Sequence, residues 1–217
     1  MKAVIFDLDN TLYDVRQYYF GAFKKISNHL SKKYRIPKEK IYKILKKLWK
    51  EKTSLYPYLF DNLLKILNIE NERVKNVIEI FNGYRGNLKL YPQANSVLKK
   101  LKKRSYKLGI ITDGNVKRQK RKIKSLGIKN FFATIIYTKS VSPKPSEKPF
   151  LSAIKKLKVN PRDTFYVADN PLIDFKGAKK SGMKTVRILK GEFRNSPGNI
   201  YIDFEIKNFS DLLKIIS

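Results

Sequence analysis

The sequence predicts an α/β protein: a parallel sheet with helices on both faces, interrupted after its first strand by an inserted helical module. Three observations carry that expectation. The chain opens with an almost wholly apolar run, Ala3-Val4-Ile5-Phe6, whose two β-branched members suit a strand buried on both faces. From Tyr18 to Gly83 apolar residues recur at three- and four-residue spacing with no strand pattern among them, the signature of successive amphipathic helices. After Tyr91-Pro92 helical and strand-like stretches alternate to the end, as right-handed βαβ crossovers require.

Four helices are expected in the inserted module. Their apolar faces are Ile26 and Leu30; Ile41, Ile44, Leu45 and Leu48; Leu59, Leu63, Leu64 and Leu67; and Val74, Val77, Ile78 and Phe81. Pro37 opens the second at a favoured first-turn position, Pro57 marks the break before the third, and Asn68 to Asn71 turns into the fourth. The expected division is residues 1–14 with 88–217 as the sheet domain and 15–87 as the helical module. Beyond it, helices are expected at Val97–Leu101, Lys117–Leu126, Phe150–Leu157, Ile173–Ser181 and Phe209–Ile216. Strands are expected at Leu108–Ile111, Thr134–Tyr137, Phe165–Ala168 and Thr185–Ile188, with one or two short ones in the tail between Ile200 and Ile206. Gly127 and Gly182 stop the helices before them.

Composition narrows the chemistry. At 217 residues, 42% hydrophobic and 12% aromatic, the chain can bury a proper core and is not disordered. No stretch approaches eighteen uninterrupted apolar residues and no secretory leader is visible, so a soluble, cytoplasmic protein without a membrane partner is expected. With no cysteine and the single histidine His29, disulfides, thiolate catalysis and histidine- or cysteine-based metal clusters are excluded. His29 itself, beside Leu30 in a helix, reads as a packing or surface residue, and Tyr13, Tyr18, Tyr19 and Phe20 read as core or staple residues near the acidic turn. The formal charge of +30 suits a polyanion partner or a funnel for phosphorylated substrates. The lysines are spread along every expected helix, densest from Lys117 to Lys124, so compositional background is the preferred explanation and a specific nucleic-acid partner is not expected.

The chemistry-bearing residues follow the strands. Asp7 and Asp9 lie after the first, Thr112 with Asp113-Gly114-Asn115 after the second, Lys144 in the loop after the third, and Asp169 with Asp174 after the fourth. Parallel strands point the same way, so these groups gather at one sheet edge, where open α/β sheets bind ligands. Acids held together repel unless a cation lies between them, and an all-oxygen donor set suits a hard ion such as Mg²⁺. That ion attracts phosphate, a lysine neutralises it, and a hydroxyl with helix-start N–H groups holds further oxygens. An aspartate can accept a phosphoryl group, so the set contains the parts for transfer through an aspartyl-phosphate.

The segments Asp7-Leu8-Asp9-Asn10-Thr11, Ile110-Ile111-Thr112-Asp113-Gly114-Asn115, Lys144-Pro145 with Phe150 six residues beyond the lysine, and Ala168-Asp169-Asn170-Pro171-Leu172-Ile173-Asp174 resemble, in order, the four motifs of the haloacid dehalogenase (HAD) superfamily. The likeness continues through Gly177-Ala178, Gly182-Met183 and Thr185-Val186. It implies a Rossmann-like core with a C1 helical cap at residues 15–87. It further implies Asp7 as nucleophile and Mg²⁺ ligand, and Asp9 as general acid/base and metal ligand through its carbonyl. Thr112 is implied as phosphoryl holder, Lys144 as the cation stabilising Asp7 and phosphate, and Asp169 with Asp174, the latter mostly through water, as the rest of the metal shell. Asp113 and Gly114 fall in the phosphate-binding turn, where Asp113 also reads as the N-cap of the following helix. Lys148-Pro149 repeats the Lys144-Pro145 pattern and is a decoy for the lysine.

The dehalogenases of that superfamily lack the second aspartate of the first motif, and Asp9 is present here. The resemblance therefore implies a Mg²⁺-dependent phosphatase acting on a small phosphorylated metabolite. A phosphomutase of the same fold is the nearest alternative. A nucleic-acid-binding protein, or a phosphatase of polynucleotide ends, is the alternative from the charge.

Overall fold

The computed structural model describes residues 2–216. It divides into two compact units, one formed by the chain up to Val15 and from Asn87 onward, the other by Arg16–Gly86. In the first unit, β1 (Ala3–Phe6) is buried along its whole length, which its unbroken apolar sequence requires.

The second unit is helical throughout: α1 (Arg16–Tyr34), α2 (Lys38–Lys52), α3 (Leu59–Ile66) and α4 (Val74–Gly83). Its core takes Phe23, Ile26 and Leu30 from α1, Ile41 and Leu45 from α2, Leu63 from α3 and Val77 and Phe81 from α4. Aromatic edges knit it together, with the Tyr19 and Phe81 rings 4.9 Å apart and the Tyr18 hydroxyl donating to the Phe81 carbonyl at 2.7 Å. His29 belongs to this unit, 3.6 Å from the buried Glu72 carboxylate.

The first unit resumes with α5 (Ala94–Lys103), β2 (Lys107–Thr112), α6 (Val116–Ser125), β3 (Thr134–Tyr137), α7 (Lys148–Leu157), β4 (Thr164–Ala168), α8 (Phe175–Lys180), β5 (Lys184–Ile188), β6 (Phe204–Ile206) and α9 (Phe209–Ile215). The six strands form one sheet in the order β3-β2-β1-β4-β5-β6, with every neighbouring pair parallel. The expected α/β class with a parallel sheet is thus the observed one. Chain order reverses direction at β1, between β2 and β4, and such a switch point opens a crevice at the carboxyl ends of the strands.

Helix boundaries depart from the sequence reading where turn chemistry outweighs apolar spacing. Helix α7 starts at Lys148 because Pro149 occupies its first turn, a position proline favours. Helix α8 starts only at Phe175, because Asn170–Asp174 closes a polar turn. There Asp174 Oδ2 accepts from the Asn170 N–H at 3.0 Å and Asn170 Oδ1 from the Leu172 N–H at 2.9 Å. The tail holds one strand, β6. No helix among the described residues is long and apolar enough to cross a membrane.

Candidate active site

Asp7 stands where β1 ends, its N–H still donating to the Val167 carbonyl of β4 at 2.9 Å. The strand therefore aims its carboxylate from the sheet edge, and the structure brings Lys144 to it, Nζ to Oδ1 2.8 Å. The same ammonium lies 2.5 Å from Asp174 Oδ1 and 3.6 Å from Asp113 Oδ2. Lys148, four residues on, is exposed at the start of α7. The Lys144 loop is supported from α8. A Cβ at Gly177 would fall 2.5 Å from the Pro145 carbonyl oxygen and 2.8 Å from that of Ser146, so the approach needs glycine.

Electrostatics follow from burial. Desolvation pushes the Asp7 carboxyl up to about 7 despite the Lys144 ammonium beside it. Burial disfavours the Lys144 charge, yet Asp174 and Asp7 outweigh it and hold the ammonium well above its ordinary range. Asp169, also desolvated and facing Asp174 and Asp7, is raised well above the usual carboxylate range. A raised carboxylate beside other carboxylates lacks positive charge.

Thr11 links the two sides of this cluster, its hydroxyl lying 3.4 Å from Asp7 Oδ2 and 3.3 Å from Asp169 Oδ1. Asp169 Oδ2 is buried and has no hydrogen-bond partner. Among the described residues no group of three or more His, Cys, Asp or Glu is arranged to hold an ion, an arrangement that the expected ligation, with Asp9 through its carbonyl and Asp174 mostly through water, does not require. The Asp174 carboxylate bonds Lys144, the Tyr166 hydroxyl at 3.2 Å and the Asn170 N–H. The Asp9 side chain turns to a different partner. What remains, two buried carboxylates of which one oxygen is orphaned, still fits Mg²⁺. That ion takes one or two carboxylates and fills its other positions with carbonyls, water and phosphate oxygens.

The partner of Asp9 is Lys122 of α6, whose Nζ lies 2.8 Å from both carboxylate oxygens. Tyr13 donates to Asp9 Oδ1 at 2.5 Å and Gln119 Nε2 to Oδ2 at 2.9 Å. Burial opposes ionisation of Asp9, but Lys122 overrides it and holds the carboxyl below its ordinary range. Burial in turn brings Lys122 down to about 8. Gln119 Nε2 also donates to Thr112 Oγ1 at 2.6 Å, tying the end of β2 to the acidic turn.

Asp113 is not the N-cap of α6. Asn115 takes that place and accepts from the Arg118 N–H at 3.0 Å, because Gly114, at φ +104°, turns the chain between them. Asp113 Oδ1 is bonded by the Thr138 hydroxyl and approached by the Lys144 N–H at 3.4 Å. It thus braces the lysine loop. Tyr13, Gln119, Lys122 and Tyr166 were not among the residues singled out for the site by motif. The one sequence signal for the middle two is their three-residue spacing, which gives them a common helix face.

Acids, a lysine and a hydroxyl thus gather at the switch point of a parallel sheet, where open α/β proteins bind ligands. Residues 4–188 match the haloacid dehalogenase-like hydrolase family. The chain is 33% identical over 221 residues to a glyceraldehyde 3-phosphate phosphatase of Methanocaldococcus jannaschii, spanning 100% of this chain and 97% of that protein. It is 35% identical over 216 residues to a protein of the same name from Pyrococcus furiosus, spanning 97% and 88%. Among solved structures, a HAD phosphatase from Thermococcus onnurineus is similar at a TM-score of 0.71 and 28% identity, over 100% of this chain and 98% of that one. The chain belongs to the haloacid dehalogenase-like hydrolase family and is one of its phosphatases.

Proposed function

We propose that the protein is a Mg²⁺-dependent phosphatase of small phosphomonoesters that works through an aspartyl-phosphate on Asp7. The observation that carries this reading is the Asp7–Lys144 pair at 2.8 Å, with the Asp9–Gln119–Thr112 chain beside it. Two relatives named as glyceraldehyde 3-phosphate phosphatases make a three-carbon sugar phosphate the first substrate to test.

An Asp7 carboxylate oxygen attacks phosphorus, the ester P–O bond breaks, and Asp9 gives its proton to the departing alcohol oxygen. Water then attacks the acyl phosphate, its proton passes to Asp9, and inorganic phosphate leaves with Asp7 regenerated. Asp9, held ionised in the free protein, takes up a proton from solvent before the first turnover and from the attacking water in each later one, and its ionised form is the base the second half requires. Lys144 favours the ionised form of Asp7 against the burial that opposes it and meets the phosphoryl oxygens, and the Thr112 hydroxyl binds one of them. Asp7 and Asp169, with the Asp9 carbonyl, are the proposed Mg²⁺ ligands. The ion supplies positive charge to the transferring phosphoryl group. Asp174 acts by holding Lys144. The helical unit, which carries none of these groups, is proposed as a cap that supplies specificity.

A panel of phosphomonoesters with glyceraldehyde 3-phosphate among them, assayed for phosphate release with and without Mg²⁺, tests the reading. Release that requires Mg²⁺ and favours small sugar phosphates is expected. Interconversion of sugar phosphates without release would make it a mutase.

A further inference from the structure

Helix α6 is the most basic in the chain, yet it buries two polar side chains, Gln119 at 0% and Lys122 at 1% exposure. An amide and an ammonium are costly to bury unless they are paired, and packing alone would place apolar residues there. Both are paired with the first and second strand ends. Lys122 reaches the two Asp9 oxygens at equal distance, 2.8 Å, and anchors the carboxylate end-on, while the separate donors Tyr13 to Oδ1 and Gln119 to Oδ2 fix its plane.

Gln119 adds a polarity. A carboxylate only accepts, so the face of the amide toward Asp9 Oδ2 must be its NH₂. The second hydrogen of that NH₂ goes to Thr112 Oγ1. The Thr112 oxygen thereby accepts within the protein, and what its hydroxyl has left to offer is its own hydrogen. A phosphoryl oxygen accepts, so a donating hydroxyl is the form the proposed substrate needs.

Resting on the phosphatase reading, we infer that Gln119 and Lys122 are positioning residues: Lys122 orients the proton-transferring carboxylate of Asp9, and Gln119 fixes Thr112 as a donor to the phosphoryl group. Neither touches substrate, and both act through a residue that does.

Two substrates separate the roles, 4-nitrophenyl phosphate, whose alcohol leaves without a proton, and an alkyl phosphate such as glyceraldehyde 3-phosphate, whose alcohol needs one. The quantity to compare is kcat/KM, which reports the steps through phosphoryl transfer. With the full chain and Mg²⁺, Lys122→Met should lower kcat/KM about 10²-fold for the alkyl ester and no more than a few-fold for the aryl ester. Lys122→Arg, which also spans a carboxylate, should restore most of the loss. On the aryl ester, which needs no proton from Asp9, Gln119→Leu should lower kcat/KM about tenfold, the scale of one hydrogen bond. On that same aryl ester, combined with Thr112→Val, it should add nothing to the effect of Thr112→Val alone. Equal losses on both esters for Lys122→Met, or full additivity in the Gln119–Thr112 cycle, would overturn the inference. Should Lys122→Met not fold, the cycle decides alone. A wild-type protein that releases phosphate from no ester would instead sink the phosphatase reading.

Discussion

Lys144 Nζ lies between two carboxylates, 2.8 Å from Asp7 and 2.5 Å from Asp174, with all three side chains nearly sealed from solvent. Removing one member of such a cluster strands the others as uncompensated charge. Lys144→Ala should therefore abolish phosphate release and cost roughly 3–5 kcal/mol of stability, read by urea unfolding. Lys148→Ala, at an exposed position, should change neither. Full activity in the Lys144 variant would remove it from the mechanism.

Asp7→Asn keeps the shape of the strand end and removes the nucleophile. Turnover should fall by on the order of 10⁴-fold or more, while circular dichroism stays that of the wild type.

Asp7 is raised to about 7 by burial, so in the metal-free protein a proton competes with any ion for its carboxylate. Mg²⁺ affinity, followed by calorimetry, should rise as pH goes from 6 to 8 and level off above. Affinity that is flat or falls over that range would contradict Asp7 as a ligand.

Glu72 gives a pH signature within the helical unit. Although burial opposes its charge, bonds from Lys33 at 2.8 Å, Asn76 at 2.7 Å and Tyr34 at 3.1 Å hold it at about 2, against an ordinary 4.5. A depressed acid stabilises the fold above its unfolded value and loses that contribution as pH falls through its folded one. The wild type should therefore lose stability relative to Glu72→Gln between pH 4.5 and 2, measured by thermal melts of both.

The net charge of +30 also makes a prediction. Hydrolysis of a small ester should lose only a few-fold in kcat/KM between 50 and 200 mM salt, because few charges meet in the site. A polynucleotide contacting six to ten phosphate-binding side chains would lose about 10³- to 10⁵-fold in affinity over that range. Tight DNA or RNA binding that survives 200 mM salt would make the lysines functional.

The sheet was legible because β1 is apolar without interruption and the later strands each follow a helical stretch of ordinary length. The positions of Asp7, Asp9, Thr112 and Asp169 at strand ends followed directly, since parallel strands share a direction. The surroundings of Asp9 were not legible. In Val116–Ser125 a buried Gln119 and Lys122 look no different from the exposed lysines around them, because only the packing of the helix decides which face is dry. Tyr13 reads from the sequence as a core or staple residue beside the acidic turn, and it is wholly buried, but its hydroxyl also serves Asp9. The N-cap fell to Asn115 and not Asp113 because the positive φ of Gly114 redirects the chain, a backbone choice that two polar neighbours in sequence leave open.

The central claim is that phosphate passes through Asp7. Wild-type protein mixed with an excess of substrate and Mg²⁺, quenched in acid within milliseconds and reduced with borohydride, converts any aspartyl-phosphate to homoserine. Peptide mass spectrometry should then find homoserine at position 7 and aspartate at position 9. Homoserine at position 9, or none at either position during active turnover, would contradict the account.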